Sequence, residues 1–357
     1  MKSIINNLVN SPPWVGYIPH IMNIFFYHKQ NPSTNINQDA FDFNKLYVDN
    51  MFANITFVSN RFPNSKIFLI EEGLSAPSLN LPNLNIIKRH KNLCARHRDF
   101  LKNYFHFYAP RVGRPQPHLE ARQLPEGNQE FLLLCYDRWF YIYDSLVAYG
   151  IKNFVALDSD CVLLEDTPSH NYEKIGISYP PYSEDCAPSP VMSSTTNLNK
   201  FLDFMCFFYG ELQKQKDKVK YINSFFDKPR KNVTDMALWH LFKKQNPNLF
   251  VNNLSLDSDE SIHDLGLGTG NWDYACSALN DQNNGNYHFT TQAAQKHNPQ
   301  GILETAHIKQ IFYTEDGPCF EEKDTKELIK IKSLHFSPGT LKFDIIPFIE
   351  EYEKIYS

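Results

Sequence analysis

Apolar residues in this chain gather in short runs and helical stripes separated by turn chemistry, the signature of alternating strands and helices. Ile21 to Tyr27 is an apolar run that predicts a first strand, closing at His28-Lys29-Gln30-Asn31. Asp39 to Val58 carries Phe43, Leu46, Tyr47, Met51 and Ile55 at helical spacing. Turn residues over Asn60 to Asn64 separate that helix from a strand at Lys66 to Ile70, and Leu84 to Ile87 reads as another. Residues 109–128, rich in Pro, Gly and charge, predict a mobile loop. The best-ordered stretch follows: a helix over Phe131 to Tyr149, a Gly150 cap, and the strand Asn153-Phe154-Val155-Ala156-Leu157. Further on, Asn197 to Leu212 and Asp235 to Lys244 read as helices, residues 255–300 as polar loop, and Ile308 to Tyr313 and Leu328 to Phe336 as late strands.

Helix, short turn and apolar strand in alternation predict an α/β fold with a mainly parallel sheet. No internal repeat is visible, and 357 residues allow two domains or one large unit. Hydrophobic residues at 42% suffice for a sizeable core. A net charge of −5 lacks the basic footprint of a general nucleic-acid binder. Aromatic residues reach 14%, through 28 Phe and 19 Tyr, which leaves open a stacking surface for sugars or bases or a plain compositional bias. The seven cysteines are odd in number and form no Cys-x-x-Cys pair, so neither a disulfide framework nor a thiolate zinc site is expected. With no signal-peptide core and no run of apolar residues long enough to span a membrane, the expected setting is cytoplasmic. Asn-x-Ser/Thr triplets at Asn54, Asn232 and Asn253 read as chance in so Asn-rich a chain.

Ligands of open α/β sheets bind beyond the carboxyl ends of the strands, and Asp158-Ser159-Asp160 sits there if 153–157 is a strand. Two carboxylates at i and i+2 in such a turn can converge on one hard cation, Mg²⁺ or Mn²⁺, shared with substrate phosphates. Asp257-Ser258-Asp259 has the same spelling but no apolar strand before it, so context separates the two.

The segment from Asn153 to Leu163 resembles the Asp-x-Asp region of nucleotide-sugar glycosyltransferases of the A-type fold. The resemblance implies a single Rossmann-like unit over residues 20–345, with helices on both faces of the sheet, a short N-terminal arm at 1–19 and a tail at 346–357. Residues 20–175 would form its nucleotide-sugar half and 176–345 its acceptor half. It further implies that Asp158 and Asp160 hold the cation against a sugar-nucleotide diphosphate. Many such enzymes carry a basic residue on the helix before the motif, near the diphosphate or the aspartates; here that residue is Arg138. The alternative is an ordinary helix-surface Arg paired with Asp137 or Asp144. Leu334-His335-Phe336-Ser337-Pro338-Gly339-Thr340-Leu341-Lys342 is similar to the His-Phe-x-Gly-x-x-Lys ending of glycogenin-like transferases. By that likeness His335 is a third metal ligand and Lys342 contacts the diphosphate, although Pro338 displaces the lysine by one residue. A capped core histidine is the other reading of His335.

Asp235, after the N-cap Thr234, matches an acidic helix start that contacts sugar or acceptor in this family and would suit an inverting base; any helix also favours Asp there. The His-Phe ending resembles retaining enzymes, so the stereochemistry stays open. Trp239, Trp272 and Tyr274 are stacking candidates, and Gly266-Leu267-Gly268-Thr269-Gly270 reads as a loop that could close over substrate. The expected partners are a nucleotide-sugar donor, with UDP the family's usual nucleotide, and a glycan or glycolipid acceptor; peripheral membrane contact stays open. Two rivals remain. A nucleotidyltransferase would need a Gly- and Lys-rich loop after the first strand, which residues 28–38 lack. The other is a nucleotide-sugar-binding module without chemistry.

Overall fold

The computed structural model describes residues 22–29, 43–72, 79–88, 93–104, 126–165, 171–178, 186–227, 233–251, 261–263, 276–278, 307–322, 324–336 and 344–356. Strands β1 (Asn23–Lys29), β2 (Lys66–Glu72) and β3 (Leu84–Lys88) follow the expected apolar runs, and helix α1 (Phe43–Arg61) lies between the first two. Pro63 follows α1 closely, and the residue before a proline is pushed out of the helical region, so the helix stops there. After α2 (Ala95–Asn103) comes α3 (Glu126–Ala148). It begins inside the stretch read as loop and ends on Gly150 at φ +64°, with the Ile151 amide donating back to the Leu146 carbonyl at 2.8 Å. That is the left-handed glycine stop expected from the sequence.

Then follow β4 (Asn153–Leu157), β5 (Cys161–Leu163), β6 (Gly176–Ser178), β7 (Ala187–Ser194), α4 (Thr195–Lys214), α5 (Lys218–Asn223) and α6 (Asp235–Gln245). The main sheet has the order β3-β2-β1-β4-β7-β6; β3, β2, β1 and β4 run parallel, and β7 is antiparallel to both neighbours. Strand β7 lies where the sequence pattern predicts no element, and it contains Pro188 and Pro190, which cannot donate to a ladder. The register explains it: pairing with β6 uses Ala187, Val191 and Met192 and shifts between them, so both prolines fall outside the ladder.

Alternate residues of the parallel strands feed two cores. Ile24, Phe26, Ile67, Leu69, Val155 and Leu157 pack on one face with α1, while Phe25, Phe68, Ile70, Phe154 and Ala156 pack on the other with α3, α4 and α6. Burial on both faces is why these strands read as continuous apolar runs. The fold is therefore the expected mixed α/β architecture, a mostly parallel sheet with helices on both sides. Among the described residues, more aromatic side chains pack in the second core than in the first. Trp239 stacks on Phe201 at 3.5 Å and meets Trp139 edge-on at 5.3 Å, and it is fully buried, so it offers no sugar platform. Trp272, Tyr274 and the glycine-rich loop lie outside the described residues.

A second sheet is built from later chain: β11 (Phe312–Thr314), β12 (Gly317–Glu321), β13 (Leu328–His335) and β5, with β8 (Ser261–His263) against β13. The single strand expected over Ile308 to Tyr313 is two, since β10 (His307–Lys309) pairs instead with β9 (Cys276–Ala278). β8 and β9 also interrupt the stretch read as loop. The residues set apart as a tail form helix α7 (Ile345–Tyr356), whose Phe348, Ile349 and Tyr352 enter the first core. On α7, burial and the neighbouring Glu350 push the Glu353 carboxyl up to about 7. A raised native value means that the folded chain is penalised when this group ionises, so stability is lost as pH rises through that value. Glu353→Gln should raise the melting temperature at pH 8, and the gain should shrink as the pH falls toward that of an ordinary carboxyl. Equal gains at pH 8 and pH 5 would assign the effect to packing.

Candidate metal centre

The parallel order places β4 beside β1 on the side opposite β2, so the strand connections reverse direction between them; such a switch point is where open α/β sheets bind ligands. β4 delivers Asp158 there. The Cys161 amide donates to the Asp158 carbonyl at 3.0 Å, closing a turn that leads the chain into β5. Four further bonds hold this turn. The Asp158 amide donates to Ser189 Oγ on β7 at 2.8 Å. Asn54 Nδ2, from α1, donates to the Ser159 carbonyl at 3.1 Å and to the Cys161 carbonyl at 2.9 Å. The Phe336 amide donates to the Asp160 carbonyl at 2.8 Å.

The last of these comes from the end of β13, which pairs antiparallel to β5 with His335 opposite Cys161. That register sets His335 next to Asp160, with Nε2 3.4 Å from Asp160 Oδ1. One ligand atom from each of Asp158, Asp160 and His335 lies within 4.8 Å of the others. The donor set fits a hard divalent cation. Bonds of about 2.1 Å put neighbouring ligand atoms about 3 Å apart, and two carboxylates with one imidazole suit Mn²⁺ or Mg²⁺. Side-chain exposure is 26% for Asp158, 6% for Asp160 and 13% for His335, so the cluster opens mainly on the Asp158 side.

Arg138 reaches the site from α3. Its Nη1 bonds Asp158 Oδ1, and its Nη2 donates to Asp235 Oδ2 at 2.6 Å. Arg138 thus joins a motif aspartate, whereas Asp137 pairs with His97 on α2 at 2.8 Å. Burial works against the guanidinium charge, but the Asp158 and Asp235 carboxylates outweigh it and hold the group above its ordinary value. Thr234 caps α6 as expected, accepting from the Ala237 amide at 3.4 Å. Asp235, expected as a base or acceptor contact in the first turn of that helix, is only 2% exposed. Its Oδ2 accepts from Arg138 and from Trp139 Nε1 at 2.9 Å, and its Oδ1 accepts from the Met236 amide at 3.0 Å. Burial pushes its carboxyl up, and Arg138 and Trp139 pull it back.

Asn54, Ser189 and the His97–Asp137 pair escaped the sequence reading. Asn54 is fully buried in α1, where its amide is occupied by the turn, which rules it out as a surface glycosylation acceptor. A polar residue at a core position of an apolar helix was its only signal. His97, stacked on Phe140 at 4.4 Å, is a buried helix tie that joins no group of three or more metal-ligating side chains among the described residues. Lys342 and Asp257-Ser258-Asp259 lie outside the described residues. Cys94, Cys135, Cys161, Cys186, Cys206 and Cys319 form no disulfide, and no described helix is long and apolar enough to cross a membrane.

The chain is thus an α/β protein with an Asp-Asp-His cluster at the switch point of its parallel sheet. No protein-family model matches it, and no curated protein matches it in sequence. Among solved structures it is similar to a bacterial N-acetylglucosamine transferase, NleB, at 12% identity and a TM-score of 0.33 over 68% of this chain and 99% of that one. It is also similar to the PaToxG glycosyltransferase, at 13% identity and a TM-score of 0.29 over 69% of this chain and 76% of that one.

Proposed function

We propose that the chain is a metal-dependent glycosyltransferase that moves a sugar from a nucleotide-diphosphate donor, a UDP-sugar foremost, to a hydroxyl of a glycan or glycolipid. The observation that carries this reading is the meeting of Asp158, Asp160 and His335, from parts of the chain far apart in sequence, at the carboxyl end of a parallel strand. Asp158 and Asp160 would supply the carboxylate oxygens for Mn²⁺ or Mg²⁺, and His335 a neutral imidazole nitrogen. A bound cation there would neutralise charge that builds on the departing diphosphate.

The remaining residues set up that centre. Arg138 draws Asp158 toward α3 and adds positive charge beside the metal ligands. Asp235 anchors Arg138 in turn: with both carboxylate oxygens engaged and almost no exposure, it serves better as a positioning group than as a base. Lys342 is the proposed second cation at the diphosphate. The proposed unit spans 20–345, continued by α7, with donor binding in 20–175 and acceptor binding in 176–345; the proposed setting is the cytoplasm.

The deciding experiment is a screen of nucleotide sugars with and without Mn²⁺, read by nucleotide release and followed by anomeric analysis of the product. Mn²⁺-dependent release from one sugar class is expected. If no nucleotide sugar is turned over and none shifts the melting temperature in Mn²⁺, the proposal is wrong.

A further inference from the structure

Within α1, most described positions facing the first core are apolar, yet Asn50 and Asn54 occupy successive turns and are buried at 1% and 0% exposure. They make different contacts. Asn50 Oδ1 accepts from the Ile346 amide at 3.0 Å, at the start of α7. Asn54 turns its amide nitrogen to the Asp158–Cys161 turn and holds the Ser159 and Cys161 carbonyls, while its Oδ1 is buried with no hydrogen-bond partner among the described residues. Two carbonyl acceptors settle which way the amide faces, because a flipped amide would point oxygen at oxygen.

We infer that Asn54 is a positioning residue for the metal centre, setting the direction of Asp160 through the backbone on either side of it. The inference rests on the metal reading proposed above. Peptide planes on both sides of Asp160 are pinned: the preceding one at the Ser159 carbonyl by Asn54 and the following one at the Asp160 carbonyl by the Phe336 amide, while Asn54 also holds the Cys161 carbonyl one residue on. Peptide planarity then leaves the Asp160 carboxylate little freedom beyond its own side-chain torsions. With Asn54 in place the carboxylate stays beside His335; without it the turn can rotate and the ligand atoms spread. Groups that orient ligands from behind commonly change metal affinity by about 10–100-fold when removed.

Mn²⁺ affinity of the full chain, read from free-ion electron paramagnetic resonance, tests this alongside melting in metal-free buffer. Asn54→Ala should weaken Mn²⁺ binding by about tenfold or more, and Asn54→Ser, which keeps one donor, should fall between it and the parent. Asn50→Ala is the control: a buried amide lost one turn away should lower the melting temperature and leave Mn²⁺ affinity unchanged. If Asn54→Ala does not fold, Asn54→Ser against the parent carries the comparison. Parent-like Mn²⁺ binding in the folded Asn54 variants, or an equal loss in Asn50→Ala, overturns the positioning role alone. A parent chain that binds no Mn²⁺ overturns the metal reading and this inference with it.

Discussion

Asp160→Ala is expected to abolish Mn²⁺ binding and to cut nucleotide-sugar turnover by about a hundredfold or more, while the chain still folds. The magnitude follows from what a bound cation supplies, charge stabilisation of several kcal/mol, at about 1.4 kcal/mol for each factor of ten. Asp160 is the most buried of the three ligands, its side chain 6% exposed and its Oδ1 3.4 Å from His335 Nε2. Binding can be read without activity. A ligand at a hundred times its dissociation constant stabilises the native state by about 2.7 kcal/mol, so the parent should melt higher in Mn²⁺ than in metal-free buffer and Asp160→Ala should not. Should the variant keep the Mn²⁺-dependent shift and bind nucleotide as well as the parent, the cation does not sit between Asp160 and the donor.

Arg138→Ala should be the most destabilising single change at the site, at about 3–5 kcal/mol, because it strands a buried carboxylate. Asp235 has almost no exposure, and Arg138 is the positive charge that bonds it among the described residues; Trp139 and the Met236 amide donate but carry no charge. The sign with pH follows. Burial already raises the Asp235 carboxyl, and loss of the cation raises it further. A raised native value gives a penalty that is full at high pH and relieved as protonation sets in, so the deficit should narrow as pH falls from 8 toward 5. Adding Asp235→Asn to Arg138→Ala should recover much of the loss, since the asparagine carries no charge to strand. Urea unfolding of the four proteins in this cycle measures the coupling. Additive effects would mean that the two side chains do not depend on each other, and would remove the case for Asp235 as the anchor of Arg138.

Local signals made part of this site legible in advance. An apolar run ending in Asp-Ser-Asp marks a strand opening at its carboxyl end whatever surrounds it, because the run needs burial on both sheet faces and the aspartates need solvent or a cation. Gly150 and Thr234 are equally local, one set by a left-handed backbone and the other by open helix amides. His335 was legible through its likeness to a family ending, and Arg138 through its place on the preceding helix. What Arg138 touches was not legible, since Asp137 and Asp144 were nearer in sequence than Asp158 or Asp235. Strand β7 lies in a stretch with no legible pattern, its prolines stepped over by the ladder's register, and Asn54 hid inside a chance-looking triplet.

The sequence by itself determined that the chain alternates strands and helices, that 153–157 is a buried strand, and that two carboxylates leave its end together. These follow from periodicity and from the chemistry of neighbours a few residues apart. Only the tertiary structure decided that β13 returns antiparallel to β5, with His335 beside Asp160, that Arg138 bridges Asp158 to a buried Asp235, and that α1 supplies the amide behind the turn. Those are contacts between segments scores of residues apart. Their selection depends on how two cores close over one sheet, and no short stretch of sequence carries that information.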